Sequence, residues 1–172
     1  MTHNIPIHAC GVSVLVLRPE LPVEAGVGAV GAGAGWRVLL LRRAGAHLTG
    51  VWSQVSGGIE AGERAWQTAL RELGEETALV PLEFSSADMC EEWYEPGAEC
   101  ILLFPVFVVL VAPGAEPSLN HEHSEYVWAT LAEAEALLPF AGQRHSLRHV
   151  WAEFVERAPL AHLRLSLPDS GA

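Results

Sequence analysis

Apolar runs separated by prolines and glycines organise this chain. Cys10–Arg18 (CGVSVLVLR) and Trp36–Arg43 (WRVLLLRR) are rich in Val and Leu and read as buried strands. Between them, Pro19–Gly35 holds two prolines and then a Gly/Ala/Val stretch, an extended hairpin connection. A third short strand is predicted around Trp52–Ser56. The clearest helix is Glu63–Glu76, where Ala65, Ala69, Leu70 and Leu73 recur at helical spacing beside Trp66 and no proline intervenes. Pro81 marks a break. Leu82–Tyr94 and Cys100–Ala112 then form two longer strands around the Glu95-Pro96-Gly97 turn, followed by a loop at Pro113–Pro117 and a short strand at Glu125–Ala129. Two helices close the pattern, Leu131–Leu138 and Gln143–Arg157, the second carrying Leu147, Val150, Trp151, Phe154 and Val155 at helical spacing. The tail beyond Pro159 is expected to be loosely attached. Strands flanking a central helix, with a helix at the end, predict an α/β sandwich, and 172 residues suit one domain over positions 1–172.

Charge narrows the partners. The formal net charge of −11 repels DNA and RNA, and no basic stretch offsets it. A small phosphorylated ligand remains compatible if a divalent cation screens it. The longest apolar run, Ile101–Ala112, has twelve residues and contains Pro105. A membrane-spanning helix needs about 20, so this run reads as a strand and no membrane partner is expected. Three widely spaced cysteines, Cys10, Cys90 and Cys100, form no CxxC pair, and no charged-then-apolar leader opens the chain. A reduced, cytoplasmic setting follows.

One motif is set aside. Gly26-Val27-Gly28-Ala29-Val30-Gly31 matches the dinucleotide-binding G-x-G-x-x-G pattern. That pattern must leave a strand and open a helix whose N-terminus holds the pyrophosphate. Here prolines precede it and a strand follows.

The segment from Gly57 to Leu79 carries the chemistry. On a helix, Glu72, Glu75 and Glu76 fall within a sector of about 100°, close enough to repel one another. Arg71 is a single cation and cannot pair with all three. Mg²⁺ takes oxygen ligands from a few carboxylates, water and substrate phosphates, so this face suits it as half a cage. The plain alternative is a solvated acidic face. Gly57, Gly58 and Gly62 precede the helix and let the backbone turn sharply and approach a ligand.

This segment resembles the signature of the Nudix hydrolases, G-x5-E-x7-R-E-U-x-E-E-x-G-U with U aliphatic. Gly57 matches the opening glycine, Glu63 the first acid, and Arg71-Glu72-Leu73 the central triplet. Glu75-Glu76 supply the paired acids and Leu79 the final aliphatic residue. One position departs: Ala78 stands where the family has glycine. A left-handed helix cap there costs alanine about 1 kcal/mol, so a slightly altered helix exit is expected with the acids retained. The resemblance implies a Nudix α/β/α sandwich with a mixed β-sheet between helices. It implies that Glu72, Glu75 and Glu76 bind metal, one of them also serving as general base, while Arg71 orients a carboxylate and Glu63 supports the loop–helix junction.

Trp52-Ser-Gln-Val-Ser-Gly-Gly and His121-Glu-His-Ser-Glu-Tyr-Val-Trp128 are similar to the dihydroneopterin triphosphate and dATP pyrophosphohydrolase subgroup. That similarity points to Glu122 as a further metal ligand. Arg43 at a strand end, Ser56 and Gly57 are substrate-contact candidates, and the Ser56 carbonyl also faces the metal role. The His121-Glu122-His123 triplet invites zinc, but no cysteine or further histidine lies nearby at ligand spacing. Trp52 and Trp93 have the right chemistry to stack on a base or pterin ring, but core packing is the expected fate of either one. The implied activity is Mg²⁺-dependent hydrolysis, with Mn²⁺ able to substitute, of a pyrophosphate linkage in a small nucleoside or pterin polyphosphate. Dinucleoside polyphosphates and nucleotide sugars are alternative substrates. A non-catalytic nucleotide-binding module of the same fold is an alternative from another class, opposed by the intact acids.

Overall fold

The computed structural model describes residues 4–20, 35–46 and 48–167. The glycine-rich stretch Gly26–Gly31, read above as a connection, lies outside them. The described elements are β1 (Ile7–His8), β2 (Gly11–Pro19), β3 (Trp36–Arg43), β4 (Trp52–Ser53), β5 (Val55–Gly58), α1 (Ala65–Thr77), β6 (Glu83–Glu95), β7 (Cys100–Leu110), β8 (His123–Ala129), α2 (Leu131–Leu137) and α3 (Ala141–Val150).

Their strands form one mixed sheet. β7 runs parallel to β1 and β2, and antiparallel to β6. β2 pairs antiparallel with β3 and β5, and β3 with β4 and β8. Both faces of the sheet are covered, which explains the continuous apolar runs of β2, β3 and β7. Alternation along each strand sorts the core into two layers. Val12, Val14, Val16, Leu39, Leu41, Phe107 and Val109 pack with Ala69 and Leu73 of α1. Leu15, Leu17, Val38, Leu40, Val106 and Val108 pack on the opposite side with Ala134 of α2 and Leu147 and Val150 of α3. The result is the mixed α/β sandwich with three helices.

Several boundaries differ from the sequence pattern. α1 begins at Ala65, with Arg64 as its N-cap and the Gln67 side chain accepting from the Arg64 N–H at 3.0 Å. Glu63 therefore lies outside the helix. The last helix begins at Ala141 and gives way to one π turn over Trp151–Val155. The wider turn lets neighbouring Phe154 and Val155 both enter the α2/α3-side core. The segment beyond Pro159, expected to be loose, lies against β6: the Leu165 N–H donates to the Phe84 carbonyl at 2.8 Å, and Arg164 pairs with Glu83 at 2.8 Å. Trp52 packs partly buried on the α2/α3-side core. Trp93 instead stands exposed, edge-on to Phe104 at 4.8 Å between ring centroids.

Ala78 keeps the left-handed conformation, with φ 55° and its N–H on the Gly74 carbonyl at 2.9 Å. The helix exit expected to change is thus retained, with alanine bearing the strain. Thr77 helps by donating to the Leu73 carbonyl and accepting from the Leu79 N–H.

Candidate active site

The amphipathic wheel of α1 decides the environment of each acid. Ala69, Leu73 and Thr77 define the stripe against the sheet, and Glu76 falls inside it, 3% exposed. Glu72 lies at its border and Glu75 points outward, their side chains 12% and 57% exposed. Three acids adjacent on the helix thus meet three different dielectrics.

Arg71 is the hub of the outer part. Its Nε donates to Glu63 Oε1 at 2.8 Å, Nη1 to Glu72 at 2.8 Å and Glu75 at 3.0 Å, and Nη2 to the Gly58 carbonyl at 3.0 Å. The planar guanidinium fork permits this where an ammonium would not. Arg71 pairs with three carboxylates after all, but one of them is Glu63, and Glu76 is left out. Glu63 also accepts from Thr68 at 2.7 Å and from the Glu60 N–H at 3.1 Å. The Arg71 guanidinium and then these two donors hold its carboxyl down to about 2. Glu63 therefore fixes Arg71 and the loop from just outside the helix.

Gly57 is required by close approach. A Cβ there would fall inside the van der Waals envelope of the Glu72 carboxylate. β5 thus passes directly beneath Glu72, and the Ser56 backbone lies near enough to Glu76 to oppose the rise of its pKa. Burial pushes the Glu72 carboxyl up, opposed by Arg71. Burial, then the like charges of Glu72 and Glu122, push Glu76 up to about 8. Its Oε2 has no hydrogen-bond partner.

An open cavity of about 580 Å³ lies over this arrangement. Arg43, Ser56, Gly57, Arg71, Glu72, Glu75 and Glu122 line it, so seven of the residues singled out from the sequence converge. Glu76 does not line it and sits buried alongside, and Glu63 stays behind Arg71. Gly58 of the glycine loop and His121 of the HEH triplet, both also read from the sequence, line the cavity too, and Asn120 was missed. Asn120 accepts the Glu122 N–H at 3.0 Å, a local turn whose asparagine was a readable signal. The late loop is pinned at several points. The Ala44 N–H donates to the Glu122 carbonyl at 2.7 Å, and the Ser118 N–H to the Thr77 carbonyl at 2.8 Å. Arg18 stacks 4.2 Å from the Trp128 ring centroid and bonds the Ala115 carbonyl and Glu116. His123 of the HEH triplet is buried on β8 with an unpartnered Nδ1, away from the cavity lining.

The donor set suits a hard divalent cation: carboxylate oxygens from α1 and the late loop, beside a buried carboxylate oxygen with no other partner. Among the described residues no three acids, histidines or cysteines already converge on one point. Arg71 holds Glu72 and Glu75, so a cation would compete with it for them.

The comparisons with known proteins agree with this geometry. The model of the NUDIX domain matches residues 22–150. The chain belongs to the Nudix hydrolases, a family of pyrophosphohydrolases that typically use a divalent metal and act on small nucleotide-type metabolites. It is 36% identical over 126 residues to an octanoyltransferase of Myxococcus xanthus, a match covering 71% of this chain and 34% of that protein. The chain thus spans about a third of the length of that curated relative. Among solved structures, a MutT protein from Methanosarcina mazei Go1 is similar at TM-score 0.65 and 23% identity, covering 89% of this chain and 99% of that one. The E. coli dihydroneopterin triphosphate pyrophosphohydrolase is similar at TM-score 0.56 and 23% identity, covering 80% and 92%. At these identities the structures establish the fold and leave the subgroup unresolved. Among the described residues no helix is long and apolar enough to cross a membrane.

Proposed function

We propose that this chain hydrolyses a pyrophosphate linkage in a small nucleoside or pterin polyphosphate with Mg²⁺, or Mn²⁺ in its place. Glu72, Glu75, Glu76 and Glu122 would hold the metal, joined by the Ser56 carbonyl. When bound, such an ion neutralises phosphate oxygens and acidifies a water. The observation that carries this reading is the Glu76 oxygen, buried and unpartnered next to two more carboxylates at the edge of an open cavity.

The chain's own groups supply the rest. Arg43 faces the cavity from the end of β3 and approaches the substrate phosphate. Arg71 orients Glu72 and Glu75, and Glu63 holds Arg71. One of the three helix acids takes the proton from the attacking water. The water oxygen bonds to phosphorus, the bridging P–O bond breaks, and the phosphate leaves with the electron pair. The similarity of the Trp52–Gly58 and His121–Trp128 segments to the dihydroneopterin triphosphate and dATP subgroup favours those substrates.

The octanoyltransferase relative favours a second substrate class. A thioester donor of a medium-chain acyl group, when built on coenzyme A, contains a pyrophosphate linkage of the kind this chemistry cleaves. Release of phosphate and pyrophosphate, with identification of the products, separates these readings across nucleoside triphosphates, dihydroneopterin triphosphate, dinucleoside polyphosphates, nucleotide sugars and octanoyl-coenzyme A, with and without Mg²⁺. Metal-dependent turnover of one class names the substrate. Inert folded protein across the panel would sink the proposal.

A further inference from the structure

On the sheet face away from α1 lies a carboxylate that the reaction does not use. Glu91 of β6 is 7% exposed. Its Oε2 accepts from the Ser13 hydroxyl of β2 at 2.7 Å, and its Oε1 accepts from the Gln54 amide at 2.8 Å. The Ser146 hydroxyl of α3, which donates to the Gly142 carbonyl at 3.2 Å, lies near enough to Glu91 to oppose the rise of its pKa. A carboxylate in an apolar core is costly, and an aliphatic side chain of similar volume is often at least as stable there. What the acid provides here is geometry, because its donors come from β2 and from the residue that joins β4 to β5.

Both donors bracket the strand under the catalytic helix. Gln54 is two residues before Ser56, and Ser13 is the register partner of Ser56, with Val12 opposite Gly57. The Ser56 backbone faces Glu76 and opposes the rise of its pKa, and Gly57 has no clearance to spare beneath Glu72. Any slip of this strand moves both acids' supports at once.

We propose that Glu91 is a positioning residue for the pyrophosphate-cleaving site, clamping Gln54 and Ser13 from the opposite face so that Ser56 and Gly57 sit at fixed height under Glu76 and Glu72. It touches no reacting group. The inference rests on the hydrolase reading for its effect on rate, but its effect on β5 is independent of that reading.

The test combines amide hydrogen exchange at Ser56 and Gly57 in metal-free protein with steady-state hydrolysis of dATP in Mg²⁺. In Glu91→Leu, exchange at these two amides accelerates at least about tenfold, and kcat falls at least about tenfold with KM within about twofold, since small misplacements at a reacting centre carry penalties of this size. Glu91→Gln keeps an acceptor for Gln54 and a donor for the Ser13 oxygen, and restores both readouts. Should Glu91→Leu not fold, Gln54→Met removes one grip with the same expected signature. Unchanged exchange at Ser56 and Gly57 in a folded variant overturns the proposal, as does acceleration spread evenly over the whole sheet. If wild-type protein leaves dATP intact, the substrate reading fails separately, and the exchange data still decide the positioning role.

Discussion

Glu76 and Glu91 are both buried carboxylates, 3% and 7% exposed, on opposite faces of one sheet. Burial pushes both carboxyls above the ordinary range. Their surroundings differ. Glu91 is met by the Ser13 hydroxyl and the Gln54 amide, neutral donors from separate parts of the chain, with the Ser146 hydroxyl nearby. Glu76 has the Ser56 backbone nearby, leaves Oε2 unpartnered, and faces the like charges of Glu72 and Glu122 with Arg43 as the opposing cation. A buried acid that the fold itself satisfies serves the fold. One left unsatisfied among like charges beside an open cavity is suited to receiving a cation from outside.

The largest effects should separate the two acids by function. Glu76→Gln and Glu72→Gln each lower turnover at least a hundredfold, about 2.7 kcal/mol of barrier, while circular dichroism stays native. Near-normal rates in either variant would remove the metal-site assignment. Glu91→Gln stays close to wild type in the same assay. Metal linkage gives a second contrast. Mg²⁺ at about 100 times its dissociation constant stabilises the folded chain by about 2.7 kcal/mol. That shift in melting temperature vanishes in Glu76→Gln and persists in Glu91→Gln. Persistence in both would place the metal elsewhere.

Gly57→Ala tests the contact between β5 and the helix. The added methyl displaces the Glu72 carboxylate, costing about 1–3 kcal/mol as overpacking does, together with most of the activity. A fully active alanine variant would show that Glu72 has room to move. Ala78→Gly changes the end of the same helix without touching a charge. It relieves the φ of 55° and gains about 1 kcal/mol. The melting temperature rises by about 2–4 °C with rates unchanged, and a lower melting temperature contradicts the assigned strain.

The smallest effect is pH-dependent. Burial places the folded-state pKa of Glu91 above its ordinary value of 4.5, and the Ser13, Ser146 and Gln54 side chains oppose that shift. The contribution of such a group is fully present below its unfolded value and is lost as pH rises through the folded one. Urea unfolding of wild type and Glu91→Gln between about pH 4 and about pH 8 should show wild type losing stability relative to the variant as pH rises. Parallel curves would mean that Glu91 does not titrate in this range.

Much of the molecule was legible in the chain. β2, β3 and β7 announced themselves as apolar runs because both their faces are covered. The spacing of Glu63, Arg71, Glu72, Glu75 and Glu76 was legible because one helix and its preceding loop carry them all. Glu63 was placed inside the helix because a two-residue shift at a helix start leaves the apolar period unchanged. The tail beyond Pro159 looked unattached because its partner, β6, lies about eighty positions earlier. Trp93 was weighed toward the core, yet it stands exposed on β6 opposite Leu102 of β7. The Glu91 clamp left no sequence signal, since Ser13, Gln54 and Ser146 are ordinary polar residues at no fixed spacing.

The sequence by itself determined which acids exist, that they share one helix, and that a glycine precedes them, because helical periodicity and a fixed motif are local properties. Only the tertiary structure decided that Glu76 is enclosed while Glu75 meets solvent, that Arg71 spends its fork on Glu63, and that Glu122 arrives beside Glu72 and Glu76. Burial and charge proximity depend on which face the sheet covers and where a distant loop is pinned, and those are set by contacts between residues far apart in the chain.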